Sequence, residues 1–338
     1  MEGIRVDILA FAILFFSCSE NATFETHQYD AVSLKGIHVA LERHLISELL
    51  EPFELFSVGN EVIVENFDKN GRFLYVYDSQ DFSLKETFGT YGRAGNEYLE
   101  PGYLAGMARD SVFYLNVDVG KCAKFVIREG KIIELERTVN HTEWVLTAKR
   151  INNRQTLEAN FVGERPFCIF DSNDGETRKR FGEFPDAGMT ITAPEDVWNF
   201  FHCMPEISPD GKHMMVSYLS LPLIRLYSLD GLEETKRISF VNVEAQVRDI
   251  ESFYEEDRTA YFYRSVGTSK WYYVYFVNQR GGDEFKGVSL LRFDWSGNLD
   301  SVFSIDHYCP FYTVTETDQF IGIGYEEDEL YFYSAELK

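Results

Sequence analysis

The sequence lacks a hydrophobic run long enough to cross a membrane as a helix. The apolar run at residues 8–16 follows Arg5 and precedes Ser17 and Cys18. A spanning helix needs about 20 apolar residues, whereas a shorter run of this kind is typical of a secretory signal. We therefore predict that the chain is exported and that it carries no membrane-spanning helix.

Basic residues are also scarce. Lys and Arg together number 32 against 55 Asp and Glu, which gives a formal net charge of −23. Such a surface repels the phosphate backbone of nucleic acids, and its excess of carboxylates favours solubility. We expect no nucleic-acid partner.

Several catalytic and metal-binding motifs are missing. The chain contains no Gly-x-Ser-x-Gly, no His-Glu-x-x-His and no Gly-x-x-x-x-Gly-Lys-Ser/Thr, so three common routes to catalysis lose support. No Cys-x-x-Cys pair occurs, and Cys122, Cys168, Cys203 and Cys309 are too far apart for zinc-type spacing. We predict no catalytic residue, no bound metal and no cofactor, and four buried thiols in preference to disulfides.

Two acidic segments imitate calcium loops. Residues 66–71 and 171–175 carry Asp, Asn and Gly in a suitable order, but in the first segment Tyr77 stands where the bidentate Glu belongs. The same residue types are those of an ordinary turn between strands. We predict hairpin turns at both places.

Aromatic residues, in contrast, are abundant. Phe and Tyr number 29 and 20, and hydrophobic residues make up 45% of the chain. Aromatic and β-branched side chains lose rotamer freedom in helices but pack well on strands. The composition therefore predicts an all-β protein with an extensive core.

A repeated pattern of alternating apolar residues runs along the chain. Six segments end in an aromatic residue or Ile, and most of them precede a polar turn: 73–78, 124–128, 167–171, 224–228, 290–294 and 330–334. Equivalent positions from Tyr77 to Phe332 are 50, 43, 57, 66 and 39 residues apart, which brackets the period of about 40–50 residues for a propeller blade. We interpret each segment as the third strand of a blade.

Upstream segments supply the second strands, at residues 61–67, 111–116, 157–162, 213–219 and 271–277. The long intervals are read as insertions, one of which, the acidic stretch 243–258, has the apolar spacing of a short helix. The sequence thus predicts a six-bladed β-propeller.

The start of the chain has a predicted role in closing this ring. Residues 30–46 precede the first complete blade, and the last repeat is cut short at Lys338. An N-terminal strand paired with the final blade would remove the exposed edge of an open array. The alternative is a short helix at residues 39–50, where apolar residues recur three and four apart.

The glycine-rich segment 88–98 resembles the link between the first two blades of the TolB-like six-bladed propeller lipoproteins of Bacteroides-type bacteria. It keeps Gly92, Arg93, Gly95, Glu97 and Tyr98 of that link and lacks its Pro-Gly step. The Ser-Pro-Asp-Gly-Lys turn at residues 208–212 is similar to a turn of TolB and related propeller repeats. The resemblance implies a periplasmic or cell-surface propeller.

Residues 14–18 resemble a bacterial lipobox, in which the Cys is acylated and becomes the mature N-terminus. We predict a lipoprotein-type signal peptide at residues 1–17, lipid attachment at Cys18, a flexible tether at 18–29 and the propeller domain at 30–338. The expected location is the periplasm or cell surface, on the outer membrane of a Gram-negative bacterium, and the protein is expected to be monomeric. An ordinary cleaved signal or a buried N-terminal strand are the alternatives.

The leading functional hypothesis is a binding module that recognises a glycan, a peptide or an envelope protein at the interblade loops and the channel mouth. Aromatic rings offer rigid contact area, and Arg offers planar hydrogen bonding. Two of the candidates also have a structural interpretation: Trp198 alternates with Phe200 as a core residue would, and Arg93 would tie its own glycine-rich loop. The candidate ligand-binding residues are Arg93, Glu97, His141, Trp198 and His202.

A competing hypothesis is a metal-dependent, lactonase-like hydrolase with carboxylates around the central channel. His141, His202 and His307 are the histidines nearest predicted strand starts, where propeller loops surround the channel. A third hypothesis is an architectural subunit of an envelope complex, for which a large exposed apolar patch is expected.

Overall fold

Six β-sheets form the ring in the computed structural model, each built on four antiparallel strands. In five sheets these strands are consecutive in the chain, and the sixth sheet takes its fourth strand from the N-terminal segment. The predicted all-β, six-bladed propeller is confirmed. The structure describes residues 24–48, 51–67, 71–92, 97–98, 102–103, 112–118, 121–139, 147–159, 164–171, 176–186, 191, 193–244, 259–281, 283 and 287–338.

Three short N-terminal strands come first: β1 (Glu25–Asp30), β2 (Ile37–His38) and β3 (Glu42–Ile46). Blade 1 consists of β4 (Pro52–Val58), β5 (Glu61–Asn66), β6 (Arg72–Asp78) and β7 (Leu84–Tyr91), with β8 (Glu97–Tyr98) at its outer edge. Blade 2 consists of β9 (Gly102–Tyr103), β10 (Val112–Asp118), β11 (Lys121–Arg128) and β12 (Lys131–Val139). Blade 3 consists of β13 (Thr147–Arg150), β14 (Gln155–Ala159), β15 (Phe167–Asp171) and β16 (Thr177–Phe181).

The second half of the ring begins after the helix α1 (Pro194–Phe200). Blade 4 consists of β17 (Cys203–Ile207), β18 (His213–Tyr218), β19 (Leu223–Ser228) and β20 (Glu233–Val241). Blade 5 consists of β21 (Thr259–Gly267), β22 (Trp271–Arg280), β23 (Val288–Asp294) and β24 (Leu299–Ile305). Blade 6 consists of β25 (Phe311–Val314), β26 (Gln319–Glu326), β27 (Glu329–Glu336) and the N-terminal strand β3.

The six segments predicted to be third strands are confirmed, because they fall within β6, β11, β15, β19, β23 and β27. The alternating apolar pattern ends at the end of each third strand because a hairpin turn follows there. After β11, Glu129 and Gly130 have φ angles of 53° and 73°. Two successive residues with positive φ give the twist that joins neighbouring antiparallel strands.

The core is divided among the seams between blades. Six clusters of buried apolar side chains each join two consecutive blades, and the cluster containing Val62 and Phe332 joins blade 6 back to blade 1. Aromatic rings fill these seams, as where Tyr77 and Phe332 meet edge to face with centroids 5.0 Å apart. Offset and edge-to-face pairs add to the gain from burial.

The ring is closed by β3, as predicted. This strand pairs antiparallel with β27, with Ile46 opposite Leu330 and Glu42 opposite Ser334. Ile46 is buried in the seam between blades 6 and 1. The alternative helix at residues 39–50 is therefore wrong over the described part of that range, because pairing with the sheet outweighs the helical spacing of the apolar residues.

The chain before β3 runs along the outside of two further blades. β1 lies parallel to β20 at the edge of blade 4, and β2 lies parallel to β24 at the edge of blade 5. Residues 18–29 were predicted to be a flexible tether, but β1 includes residues 25–29 of that segment. The propeller therefore has ordered backbone before residue 30, since the β20 edge offers unpaired backbone groups to β1.

Two other expectations concern single elements. Cys122, Cys168, Cys203 and Cys309 are buried thiols that form no disulfide with one another, as expected. Burial raises the pKa of the Cys122 thiol to about 12, so this group stays protonated. The insertion 243–258 was predicted to contain a helix, and residues 245–258 lie outside the described residues.

Candidate functional site

The innermost strands of five blades enclose a cavity of about 430 Å³ on the propeller axis. Its lining comes from β4, β13, β17, β21 and β25. It extends from His202, just before β17, to the first hairpin turns of the blades, where Gly59, Pro209 and Ser269 lie. The cavity is therefore a channel bordered by most of the ring.

One ion pair in this channel joins blades 3 and 4. The Lys149 ammonium Nζ lies 2.7 Å from Oε1 of Glu206, and the side chains are only 7% and 12% exposed. Ser265 of blade 5 donates from its hydroxyl to the same Oε1 at 3.4 Å. Burial raises the pKa of Glu206, and the neighbouring Lys149 opposes that shift. The ion pair with Lys149 thus favours the carboxylate form, which burial disfavours.

A second ion pair spans the channel between blades 5 and 1. The Arg264 guanidinium contacts the Glu54 carboxylate and lies over the Phe311 ring of blade 6, 5.2 Å from its centroid. Burial lowers the pKa of Arg264 to about 10, which still leaves the group cationic at neutral pH. Two cations and two carboxylates therefore brace the channel wall in pairs.

The backbone at Arg264 is unusual for a strand. Its φ is 55°, and the pairing of β21 with β22 shifts register between Tyr263 and Ser265. The carbonyl of Arg264 accepts a 2.9 Å hydrogen bond from the Tyr312 hydroxyl. A β-bulge re-aims the side chain it carries, which explains how a strand residue of blade 5 reaches Glu54 of blade 1.

Hydroxyl groups lie among the charged pairs. Ser57 donates to the Val314 carbonyl at 3.3 Å and lies 3.3 Å from the Thr313 hydroxyl. At the hairpin end of the channel, the Glu316 carboxylate accepts from the Ser269 backbone N–H at 2.9 Å. The lining is thus polar but contains apolar wall residues as well, among them Leu55, Val266 and Tyr263.

The Ser-Pro-Asp-Gly-Lys segment forms the β17–β18 turn at that same end. Asp210 accepts from the Ser208 hydroxyl at 2.6 Å and from the Lys212 N–H at 3.0 Å, and Gly211 has a φ of 71°. Pro209 within this turn contributes to the channel lining. A local turn motif therefore also shapes the mouth of the cavity.

The structure places the predicted ligand-binding residues apart. His202 lines the channel. Glu97 lies in β8, on the outer edge of blade 1. Trp198 lies in α1, where residues two apart do not share a face, so its assumed strand alternation with Phe200 is wrong. Arg93 and His141 lie outside the described residues.

Glu97 lies near a second cavity, of about 690 Å³, between the outer strands β7 and β12. Tyr98 donates to Glu134 at 2.7 Å, and Arg137 donates to the same carboxylate from Nε at 2.6 Å. The Arg137 guanidinium also lies 5.3 Å from the Tyr98 ring centroid. This groove is a separate feature on the rim, away from the channel.

The residues that brace the channel were missed by sequence reasoning. Glu206 and Arg264 are the single charged residues of their strands, and Lys149 and Glu54 occupy equivalent innermost strands. A buried charge is costly unless it is paired. An isolated charge within a strand pattern was therefore the available signal.

Within the described ranges, no three or more His, Cys, Asp or Glu side chains gather as they would around a metal ion. The helical segments of these ranges also fall short of the length and apolar character that crossing a bilayer requires.

A family model described as TolB-like 6-blade propeller-like matches residues 33–317. The chain belongs to the TolB-like six-bladed propeller family. The match covers blades 1 to 5 and the strands β3 and β25 of blade 6, and it ends before β26. None of the curated proteins compared matches this TolB-like propeller in sequence.

Two solved structures share the fold of this TolB-like propeller. A candidate exported protein from Bacteroides fragilis is 9% identical, with a TM-score of 0.57 over 94% of this chain and 100% of its own. A member of the DUF4221 family from Bacteroides vulgatus is 10% identical, with a TM-score of 0.55 over 89% of this chain and 98% of its own. At such identities the likeness establishes the architecture alone.

Proposed function

We propose that this TolB-like propeller is an extracytoplasmic, lipid-anchored binding module that holds a small polar ligand in its central channel. The observation that carries the proposal is the channel itself, a cavity of about 430 Å³ braced by two ion pairs that join different blades. Ligand pockets typically measure about 300–1,000 Å³ and combine apolar walls with a few placed polar groups. The channel has both properties.

Cross-blade pairing also suits a binding role. Lys149 and Glu206 belong to blades 3 and 4, while Arg264 and Glu54 belong to blades 5 and 1. Side chains fixed by such contacts lose little further freedom when a ligand arrives. Preorganisation of this kind increases affinity, because less ordering cost is incurred on binding.

The proposed lipid anchor at Cys18 would fix the orientation of the channel. Phe24 lies beneath the Arg237 guanidinium, 4.2 Å from it, at the start of β1. β1 runs parallel to β20 and begins near the β19–β20 turn, on the face that also carries the first hairpin turns of the blades. Phe24 is six residues after Cys18, and six residues of fully extended chain span at most about 20 Å. The hairpin mouth of the channel would then face the membrane.

Export of this chain rests on its N-terminal sequence and is supported by the description of the Bacteroides fragilis relative as a candidate exported protein. The competing hypothesis, a metal-dependent hydrolase, stays a prediction. Metal analysis of the purified full chain would test it, since a stoichiometric divalent ion held by channel carboxylates would favour the hydrolase.

The binding role is tested by saturation-transfer NMR on the full chain with a defined mixture of hexoses, uronic acids, amino sugars, amino acids and dipeptides. Ser57→Trp fills the channel, and Ser83→Trp, on the exposed side of blade 1, is the matched control. We expect at least one compound to bind wild type and Ser83→Trp and to lose its signal with Ser57→Trp. Circular dichroism confirms that both variants fold. If no compound distinguishes the two variants, the channel is not the binding site and the proposal fails.

A further inference from the structure

Apart from the exposed Glu316 at the hairpin end, the four acidic and basic side chains that line the channel are already paired with one another. Lys149 bonds Glu206, and Arg264 bonds Glu54, so each cation of these two pairs has its own carboxylate. Three of these four side chains are no more than 15% exposed. This arrangement restricts the charge of any ligand that the channel accepts.

A ligand with a net charge would add a charge that these pairs do not balance. An anion that bonds Lys149 is repelled by the adjacent Glu206 carboxylate, and a cation that bonds Glu206 is repelled by the adjacent Lys149 ammonium. Either ligand leaves an unbalanced charge in a poorly solvated site, which is unfavourable. The net charge of −23 disfavours an anion further. A neutral ligand adds no such charge.

Hydrogen-bonding capacity nevertheless remains at the pairs. The Lys149 ammonium has three donors, and one reaches Glu206. Among the described residues, the hydrogen bonds of Glu206 with Lys149 and Ser265 both use Oε1, which leaves the lone pairs of Oε2 for a ligand. Donors and acceptors therefore alternate within a few ångströms, and a hydroxyl can serve as both at once.

Apolar surface completes the lining. Tyr263, Tyr312 and Val266 line the same cavity as the two ion pairs. The half-buried Tyr263 offers an apolar ring to the C–H faces of a ligand. Tyr312 is fully buried behind the wall and donates its hydroxyl to the Arg264 carbonyl. A ligand that matches this lining has hydroxyls at its edges and C–H groups on its faces.

We infer that the ligand class of the channel is a neutral polyhydroxylated compound, a sugar without a net charge. This inference rests on the proposed binding function and narrows it. The ion pairs are kept intact, and their remaining donors and acceptors make charge-assisted hydrogen bonds with the hydroxyls, which are stronger than neutral ones.

The test uses series of sugars that differ only in charge, measured by saturation-transfer NMR titration on the full chain at pH 7. Glucose, glucosamine and glucuronate form one series, and the corresponding galactose and mannose compounds form two more. We expect the neutral member of at least one series to bind, and its charged counterparts to bind at least tenfold more weakly. Tighter binding of a charged member in every series that binds would overturn the inference while leaving a channel-binding function intact.

A sharper test is a substitution that removes the carboxylate of one ion pair and leaves its cation without a partner. Glu206→Gln leaves Lys149 without a carboxylate, so the uronic acid should gain at least tenfold in affinity, whereas the neutral sugar should change less. Glu134→Gln, which frees Arg137 in the outer groove, is the matched control and should leave uronic acid binding unchanged. Glu54→Gln frees Arg264 in the same way and serves as the second channel variant if Glu206→Gln folds poorly.

These outcomes separate the two proposals. If no sugar binds but another compound of the mixture binds in a channel-dependent manner, the sugar inference is wrong and the binding function stands. If both channel variants leave uronic acid affinity unchanged, the ion pairs do not set charge selectivity, and the inference fails even where a neutral sugar binds.

Discussion

The channel and the outer rim each carry an ion pair between distant parts of the chain, but the two pairs differ in their exposure to water. In the channel, Lys149 and Glu206 are 7% and 12% exposed. On the rim of blade 6, Arg43 of β3 and Glu326 of β26 are 58% and 43% exposed. A buried charge that loses its partner is left in a medium that solvates it poorly, whereas an exposed one is solvated at once. Similar contacts therefore differ in what their loss costs.

A third carboxyl group extends this comparison. Glu65 of β5 lies directly opposite Glu54 of β4 in the sheet of blade 1. Its side chain is fully buried, and among the described residues neither of its carboxyl oxygens has a hydrogen-bond partner. Burial raises the pKa of Glu65 to about 8. Two buried carboxyl groups are thus stabilised differently. Glu206 is paired with a cation in the channel, whereas Glu65 is protonated in the wall of blade 1.

The largest effect is expected at the buried pair. Lys149→Met removes the cation and leaves the Glu206 carboxylate in the channel wall without its partner. Breaking a buried pair from one side typically costs about 3–5 kcal/mol. We expect urea unfolding at pH 7 to show a loss of this size in the free energy of unfolding.

The double variant Lys149→Met with Glu206→Gln separates the pair from its parts. It removes both charges, so much of the stability lost in the single variant should return. A double variant as unstable as Lys149→Met alone would mean that packing of the Lys149 side chain, and not the unpaired carboxylate, sets the cost.

A smaller, pH-dependent effect is expected at Glu65. The unfolded carboxyl has a pKa near 4.5, and the folded one has a pKa of about 8. The native state keeps a proton that the unfolded chain releases, so stability falls as the pH rises from about 4.5 to above 8. At about 1.4 kcal/mol per pKa unit, the rise from 4.5 to about 8 corresponds to about 5 kcal/mol of stability, most of which is lost by pH 9.

Glu65→Gln removes this dependence. We expect wild type and variant to have similar unfolding free energies near pH 4.5, and the variant to become the more stable of the two as the pH approaches 9. Urea unfolding across this range provides the measurement, and Glu61→Gln on the same strand is the matched control for loss of a carboxylate. A difference between wild type and Glu65→Gln that does not change with pH would show that Glu65 is ionised in the folded protein.

The architecture was accessible to sequence reasoning because it depends on repetition. Third strands such as β6 and β19 are buried on both sides and end in tight turns, which produces apolar runs of regular spacing. The closing role of β3 followed from the need to cover an exposed edge. The placement of β1 and β2 did not, because they are short and largely exposed, so their sequences carry little apolar pattern.

The channel site was far less accessible. Its ion pairs join residues of different blades, and Lys149 is 57 positions from Glu206. Arg264 reaches Glu54 through a β-bulge, which breaks the alternation by which strands are recognised. The position of His202 at the channel was predictable, because a residue just before an innermost strand follows from the blade repeat alone. The pairing of charges across the channel depends on how the blades are placed in space. Residue spacing in a single sequence does not reveal that placement.

The smallest effect is expected on the rim. Arg43→Met removes the cation that contacts Glu326 and lies 5.4 Å from the Tyr331 ring centroid. Because both charged groups are exposed, water replaces the lost contact, and the backbone pairing of β3 with β27 is untouched. We expect the thermal midpoint to stay within error of wild type at low and at high salt. A loss comparable to that of Lys149→Met would show that this exposed pair helps to hold the closing strand, and burial would no longer explain the difference between rim and channel.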